Sequence, residues 1–596
     1  MPNFIAVLDA DTERRDRFIR SVTTRLAFLD GLRTDNLACG PFAAAWAVTD
    51  RSPVSTAHRE GCAAVLFGDA IAGPAAHRLD ANGLIDAWRA ASRPGGGSGD
   101  ASPPVFDGLY AAVSYDAGRG LMVAGDVLGL FPIFHATNAD VTLAGSSPEL
   151  FRQHPLFPAA PSYDGIVMTL LAHASVGGRT LLGGVRRLGV GHALLANRRE
   201  TATEVKQYVI PRSLAYRSLD FEDHLRILDE AWAAVIRRHV TPGSAVGLLL
   251  SGGGDSRLLA GYLDQSGADV HALTLGRVTD YDAACATRVA KRLGFRHDIV
   301  DLAGTSLADC AATQAVWEHL ASGFSNVHTW GAVPAMRTLP VRCVSGYLRE
   351  IREIPLGEPS FEGSFGGPHA HGIAPDLLRR LLRPEWKELV DQLYGELRRE
   401  WESAADEPAE RQWRFLLAHG ARAHPGGVQW RFTFGSWPIV PLLDRDLLET
   451  IASIPSSSFA DRRAQDALLR TRFAPLARLP LDRNSHDTRP IAPTFARAAI
   501  SPLLVATRRL RSRVAGPESE RRYYHRLFDI DNEAWRGVRR RAEAGREALT
   551  ALFDPAELAS VLPRPDADFA LDHPIRDGFS RKLLLGLMLW ASDHPV

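Results

Sequence analysis

At 596 residues the chain exceeds one ordinary domain and has room for roughly two to four, each with a core of its own. Hydrophobic residues make up 45% and charged residues 23%, and 69 basic side chains balance 69 acidic ones. That is the composition of a globular chain in water, without the basic excess that a nucleic-acid coat or a binder of anionic membranes would carry, so neither partner is expected. No stretch approaches the ~20 apolar residues of a membrane span. The best candidate, 583–590, reads as a buried terminal helix. The apolar run after Met1 is too short for a secretory signal and is broken by Asp9 and Asp11. Five cysteines stand singly, without a C-x-x-C pair or metal-ligand spacing, so free thiols in a reducing cytoplasm are expected.

In chain order, the first two hundred residues offer short β-prone segments punctuated by Gly and Pro: 42–48, 63–67, 110–115, 121–124 and 193–196. They predict layered, mostly antiparallel sheets. Segment 92–104 is too rich in Gly, Ser and Pro to bury anything and reads as a loop. Near residue 215 the texture changes. A helix is predicted at 221–240, a buried strand at 245–250, a Gly-rich loop, a helix at 257–265, a strand at 270–275, a helix at 281–293 and a strand at 297–302. Such alternation predicts a parallel α/β sheet. Beyond about 375 the chain reads as mainly helical.

The strongest local signal is Ser251-Gly252-Gly253-Gly254-Asp255-Ser256, after an apolar strand and before a helix. The glycines permit a tight turn, and the N–H groups and positive end of the following helix would face an anion. Two hydroxyls add donors. Asp255 would repel a phosphate directly but suits a Mg²⁺ ion bridging phosphates. No Gly-Lys-[Ser/Thr] is present, so the lysine that usually holds β- and γ-phosphates is missing. This favours cleavage between the α- and β-phosphates of ATP over γ-phosphoryl transfer.

The Ser-Gly-Gly-x-Asp-Ser loop resembles the pyrophosphatase loop of N-type ATP ligases, and its surroundings resemble the asparagine synthetase superfamily. The resemblance runs through Thr274-Leu275-Gly276, Asp282, Ala286, Val289-Ala290, Leu293-Gly294 and His297, then Ser345-Gly346-Tyr347, Pro441-Leu442-Leu443-Asp444 and the terminal helix with Trp590. It implies an ATP-pyrophosphatase-type α/β synthetase domain with a largely helical C-terminal part over 215–596. Leu249, Leu275 and Gly346 would line the adenine pocket, and Ser251, Gly252, Gly253, Gly254, Asp255 and Ser256 would hold the phosphates. Glu350 stands where the family has an aspartate, and would join Asp255 on Mg²⁺. Leu348 replaces an expected glycine.

The stretches from Gly108 to Asp116, Gly125 to Phe134, Ala144 to Phe151 and Arg186 to Gly191 resemble the glutamine-amidotransferase-like αββα domain of the same superfamily, implied over 1–214. Its glutaminase chemistry needs an N-terminal cysteine as nucleophile. Pro2 and Asn3 stand at the start here, so no glutaminase activity is expected and the amine must come from elsewhere.

A silent glutaminase domain beside an active ligase domain resembles two groups, β-lactam synthetases and lasso-peptide cyclases. Tyr347 lies where the former carry a tyrosine that helps deprotonate an attacking amine. Their glutamate partner has no counterpart in the stretch from Ala423 to Trp430, and their lysine none in Asp482-Arg483-Asn484-Ser485-His486-Asp487, where Arg483 or His486 would substitute. Arg257 and the divergent C-terminal half look more like lasso-peptide cyclases. The resemblance therefore implies adenylation of an Asp or Glu side chain in a precursor core peptide and attack by its N-terminal amine, closing a macrolactam. A leader-peptide-binding protein and a leader peptidase would be partners. Alternatives are a β-lactam or asparagine synthetase-like amidoligase on a small molecule, a tRNA-modifying ATP pyrophosphatase and a catalytically dead scaffold. The Arg clusters at 508–513, 521–526 and 536–541 read as solvated helix faces. His369 and His371, in the Gly-rich stretch 363–372, read as part of a loop over substrate rather than a metal site.

Overall fold

The computed structural model describes the chain apart from residues 1–2, 74–75, 92–102, 158–159, 198–201, 212, 214, 347–358, 363–371, 484–485, 516–520, 522–529, 568–570, 572–573 and 595. Tyr347, Glu350, His369 and His371, with most of the loops expected at 92–104 and 363–372, lie outside the described residues.

The N-terminal part contains strands β1 (Asn3–Asp9), β2 (Arg33–Cys39), β3 (Phe42–Val48), β4 (Val54–Arg59), β5 (Cys62–Gly68), β6 (Ile71–Ala72), β7 (His77–Arg78), β8 (Tyr110–Asp116), β9 (Gly120–Gly125), β10 (Phe134–Thr137), β11 (Val141–Gly145), β12 (Arg186–Arg187), β13 (His192–Ala196) and β14 (Thr203–Lys206). They form two six-stranded antiparallel sheets, ordered β12-β10-β11-β1-β3-β2 and β14-β13-β9-β8-β5-β4. The sheets stack face to face through Phe4 on Phe67, with ring centroids 5.2 Å apart, and Phe42 on Tyr115, 5.5 Å apart. Alternation along β5 explains the layering. Ala63, Val65 and Phe67 enter the inter-sheet core, while Cys62, Ala64 and Leu66 point outward beneath helix α2 (Ala81–Ala90), which lays Leu84, Ile85 and Trp88 on them. Helix α1 (Thr12–Leu26) covers the other sheet with Phe18, Ile19 and Val22. The order is helix, sheet, sheet, helix. A third helix, α3 (Tyr163–Ala172), follows.

From α4 (Phe221–His239) the chain alternates: β15 (Ala245–Leu249), α5 (Gly254–Ser266), β16 (Asp269–Leu275), α6 (Tyr281–Leu293), β17 (Arg296–Val300), α7 (Leu307–Glu318) and β18 (Arg342–Val344). A last short strand, β19 (Trp437–Ile439), joins from the helical half, and the all-parallel sheet runs β17-β16-β15-β18-β19. Chain order reverses between β15 and β18, and in such sheets ligands sit in the crevice beyond the strands' carboxyl ends at the reversal. Helix α5 begins at Gly254, three residues before the start expected from sequence, because packing overrides the poor helix propensity of glycine. β19 was not expected. Three residues carry too little periodicity to announce a strand.

The two parts are fastened by partly buried polar contacts. Arg342 clasps Asp69 with two 2.7 Å hydrogen bonds, Arg445 Nε donates to Asp107 at 2.8 Å, and the Trp437 indole N–H donates to the Leu109 carbonyl at 3.0 Å.

Candidate functional site

The crevice at the reversal is a cavity of about 250 Å³, lined by Leu249, Leu250, Ser251, Asp255, Ser256, Leu273, Leu275, Asp282, Gly346 and Phe432. Each wall has a local cause. β15 and β16 deliver leucines from their carboxyl ends, with the Leu250 N–H donating to the Leu273 carbonyl at 3.0 Å. The Thr274 hydroxyl hydrogen-bonds the Leu250 carbonyl (2.5 Å) and the His297 ring (2.8 Å), fixing the point where the chain leaves the sheet. The helix His424–Phe432 supplies Phe432. It is held by Arg431, whose guanidinium donates to both oxygens of Glu318 at 2.6 and 2.8 Å.

The loop is internally bonded. The Ser251 N–H donates to Ser256 Oγ (2.9 Å), the Gly252 N–H to Asp282 Oδ1 (2.7 Å) and the Gly253 N–H to Ser251 Oγ (3.2 Å). The backbone donors expected to form an anion cradle are thus partly used by the protein itself. The first turn of α5, with Gly253 as its cap and no side-chain cap bond, retains its positive end. The glycines serve packing as well as approach. A Cβ at Gly252 would lie 2.8 Å from the Asp282 carbonyl and 2.9 Å from Cys285 Cβ. At Gly253 the nearest atom would be Ser251 Oγ, at 3.3 Å.

Two charged side chains frame the loop. Burial pushes the Asp282 carboxyl up to about 7, against the lowering effect of its Gly252 hydrogen bond, and the nearby carboxylates of Asp482 and Asp280 push the same way. Arg257, fully buried, donates to the carbonyls of Leu476 (3.1 Å), Leu479 (3.0 Å) and Pro480 (2.5 Å). Burial brings its guanidinium down to about 10. The Asp482 N–H donates to the Gly252 carbonyl at 2.9 Å, so the segment with Arg483 and His486 is tied to the loop. Neither Arg483 nor His486 is among the described residues lining the cavity. The Arg483 Nε donates to the Arg489 carbonyl at 3.4 Å, and the buried His486, with φ of 61°, lies edge-on to Tyr281 at 6.4 Å.

Residues 228–334 match the family described as asparagine synthase. The match runs from within α4 past the phosphate-type loop, β15, β16, β17 and α7. No curated protein matches the chain. Among solved structures, NMN synthetase from Francisella tularensis is similar at 18% identity and a TM-score of 0.15, over 20% of this chain and 49% of that one. The chain thus spans about half the length of that synthetase. A predicted subunit of tRNA methyltransferase from Methanocaldococcus jannaschii is similar at 22% identity and a TM-score of 0.15, over 26% of this chain and 76% of that one.

Of the residues expected to bind ATP, Leu249, Ser251, Asp255, Ser256, Leu275 and Gly346 converge on the one cavity, and Gly252, Gly253 and Gly254 build its loop. The expected catalytic Tyr347 and metal ligand Glu350 follow Gly346 outside the described residues. Sequence reasoning gave no role to Asp282, although it stood in the motif, or to Phe432, which nothing local marks. The stretch from Ala423 to Trp430 does touch the site's edge, through buried Gln429, whose amide donates to Ser345 Oγ at 3.1 Å. Asp255, Asp282, Ser251 and Ser256 are hard oxygen donors around one space, a set that fits Mg²⁺ with a polyphosphate. No helix among the described residues is long and apolar enough to cross a membrane.

Proposed function

We propose that the protein forms amide bonds at the expense of ATP, activating the Asp or Glu side chain of a peptide and joining it to the peptide's N-terminal amine as a macrolactam. The observation that supports this best is the start of α5, without a side-chain cap bond, at a cavity that also holds two carboxylates, two hydroxyls and apolar walls, without a Walker lysine. In the proposed reaction a carboxylate oxygen attacks the α-phosphorus and the bond to the β-phosphate bridge breaks, releasing pyrophosphate. The amine then attacks the acyl carbon, loses a proton, and AMP departs.

Within this reading Leu249, Leu275 and Gly346 flank the adenine, while Ser251, Ser256 and the first N–H groups of α5 hold the phosphates. Asp255, with Glu350, would hold Mg²⁺, which would supply positive charge to neutralise the phosphates. Tyr347 would help deprotonate the attacking amine, and Arg483 or His486 would steady charge in place of a lysine. The resemblance to lasso-peptide cyclases noted in the sequence supports an internal amine. Holding both groups in one site would raise their effective concentration by roughly 10⁵-fold or more.

The test is ATP–pyrophosphate exchange and product analysis with a core peptide bearing a free N-terminus and an internal Asp or Glu. AMP, pyrophosphate and a peptide lighter by one water are expected, with at least about a hundredfold loss in Asp255→Ala. ADP as product, or full activity in that variant, would overturn the reading. Consumption of free ammonia or a small β-amino acid, with the peptide untouched, would place the activity on a small molecule.

A further inference from the structure

Helix Phe495–Ala515 wears its polarity inside out. The positions turned towards the body are Ser501, Val505, Arg508 and Ser512, the least exposed of its described side chains, and three of the four are polar. Its apolar residues face away: Ile500 is 52% exposed, Leu503 68%, Leu510 63% and Val514 81%. Together with Leu504 they recur at the three-, four- and seven-residue spacing of one helical face. Among the described residues no other helix or strand makes an extended contact with this helix. Folding ordinarily turns such a stripe inward, and an apolar stripe left outside, broken here by Thr507 and Arg511, marks a surface made for a partner.

The charge of the helix defines that partner. It contains Arg497, Arg508, Arg509, Arg511 and Arg513 and no acidic residue. A second copy of the same face would set arginines against arginines, so the complement is anionic as well as apolar. Its place in the fold narrows the choice further. The Arg508 guanidinium donates to the His486 carbonyl at 3.0 Å and to the Thr488 hydroxyl at 2.9 Å, and lies 4.9 Å over the ring of Tyr281. Tyr281 begins α6, one residue before the Asp282 that lines the nucleotide-sized cavity. The helix is therefore anchored to the rim of the site where a carboxylate would be activated.

We propose that this face docks an acidic, apolar segment of the polypeptide substrate, holding it beside the cavity. The proposal rests on the adenylation reading above for the identity of that substrate. Apolar side chains of the segment cover Leu503, Leu504 and Leu510, and its carboxylates meet Arg511 within the face and Arg513 beside it.

The probe is a fluorescein-labelled synthetic peptide of leucine and glutamate at helical spacing, titrated into the full-length protein and followed by anisotropy. It is expected to bind, and to bind at least about tenfold more weakly when Leu503→Glu and Leu510→Glu are combined, or when lysine replaces its glutamates. Both substitutions are at solvent-exposed positions, and unchanged circular dichroism melting verifies the fold. Equal binding by wild type and variant overturns the proposal. So does sedimentation with phosphatidylserine vesicles in preference to the peptide, which would make the face a membrane anchor, or a dimer that the double variant abolishes. The thermal shift of wild type with Mg-ATP is read separately. Its absence would count against adenylation while leaving the peptide result standing, whereas a normal shift with indifferent peptide binding would overturn the docking surface alone.

Discussion

Asp282 shows how one side chain couples the site to pH. Its carboxyl is raised from the ordinary value of 3.8 to about 7, first by burial. A carboxyl with a raised folded-state pKa holds its proton where the unfolded chain has lost it, so stability from this group falls as pH rises from about 4 to 7. At neutral pH the penalty is up to about 4 kcal/mol. Asp282→Asn keeps an oxygen for the Gly252 N–H and removes the titration, so denaturant unfolding is expected to show a shallower decline over that window. An unchanged pH profile would mean that another group carries it. Arg257 is the converse case, a buried cation whose terminal nitrogens donate to carbonyls while its Nε has no partner among the described residues. Arg257→Met strands the carbonyls of Leu476, Leu479 and Pro480, each at roughly 1–3 kcal/mol if left without a donor. A fall of this order in unfolding free energy is expected, with Arg257→Lys intermediate.

At the scale of the element, the strand, loop and α5 unit behaves as one part because α6 presses on it. The sequence announced the unit through its glycines, and the strand and helix around them were legible from apolar runs. The neighbour behind the loop was not, because nothing in Ser251 to Ser256 records that Asp282 and Cys285 close off the space beside Gly252. The two glycines should therefore differ. Gly252→Ala is expected to displace the loop and reduce ATP–pyrophosphate exchange at least about tenfold, whereas Gly253→Ala, with only a serine hydroxyl to move, is expected to cost less. Equal losses would show that phosphate approach, rather than packing, sets both requirements. The helix Phe495–Ala515 teaches the same point from outside. Arg509, Arg511 and Arg513 are exposed as the sequence suggests, but the inward turn of Arg508 onto Tyr281 and the outward turn of the leucines are set only by the folded chain.

Across the whole molecule the parts are stitched by charges far apart in sequence. Glu149 accepts from Arg25 (3.1 Å) and Arg152 (3.0 Å), and faces His319 (3.2 Å) and His594 (2.9 Å) from the distal body. Three of these side chains have the proximity of a metal site. The Trp590 indole, however, donates to His319 Nδ1 at 3.1 Å, which leaves the proton of the neutral ring on Nε2, pointing at the carboxylate. With two guanidiniums on the same carboxylate, the arrangement reads as a hydrogen-bonded ion network. Burial raises the Glu149 carboxyl, but its hydrogen bonds from His319 and His594 and the charges around it outweigh that and hold it below the ordinary range. Burial brings His319 down to about 4. Both folded-state values are depressed, so both contributions are present at neutral pH and are lost as pH falls, for His319 between about 6.5 and 4 and for Glu149 below about 4.5. Glu149→Gln is expected to destabilise the protein by about 3–5 kcal/mol at pH 7 and to narrow its stability difference between about pH 5 and pH 3, as measured by denaturant unfolding. An undiminished difference would locate acid lability elsewhere.

The sequence by itself determined what is written locally: the alternation that makes two-faced strands, the helical periods after residue 220, and the glycine-hydroxyl-carboxylate loop between a buried strand and a helix. These features are legible because backbone sterics and side-chain period act over a few residues. The tertiary structure alone decided which distant residues share a space. It brought Phe432 and Asp282 to the cavity, inserted β19 beside β18 and used the loop's own side chains to occupy its backbone donors. It also left an apolar helix face turned to solvent at the rim of the site. Such matters depend on packing between elements hundreds of residues apart, for which no local pattern exists to be read.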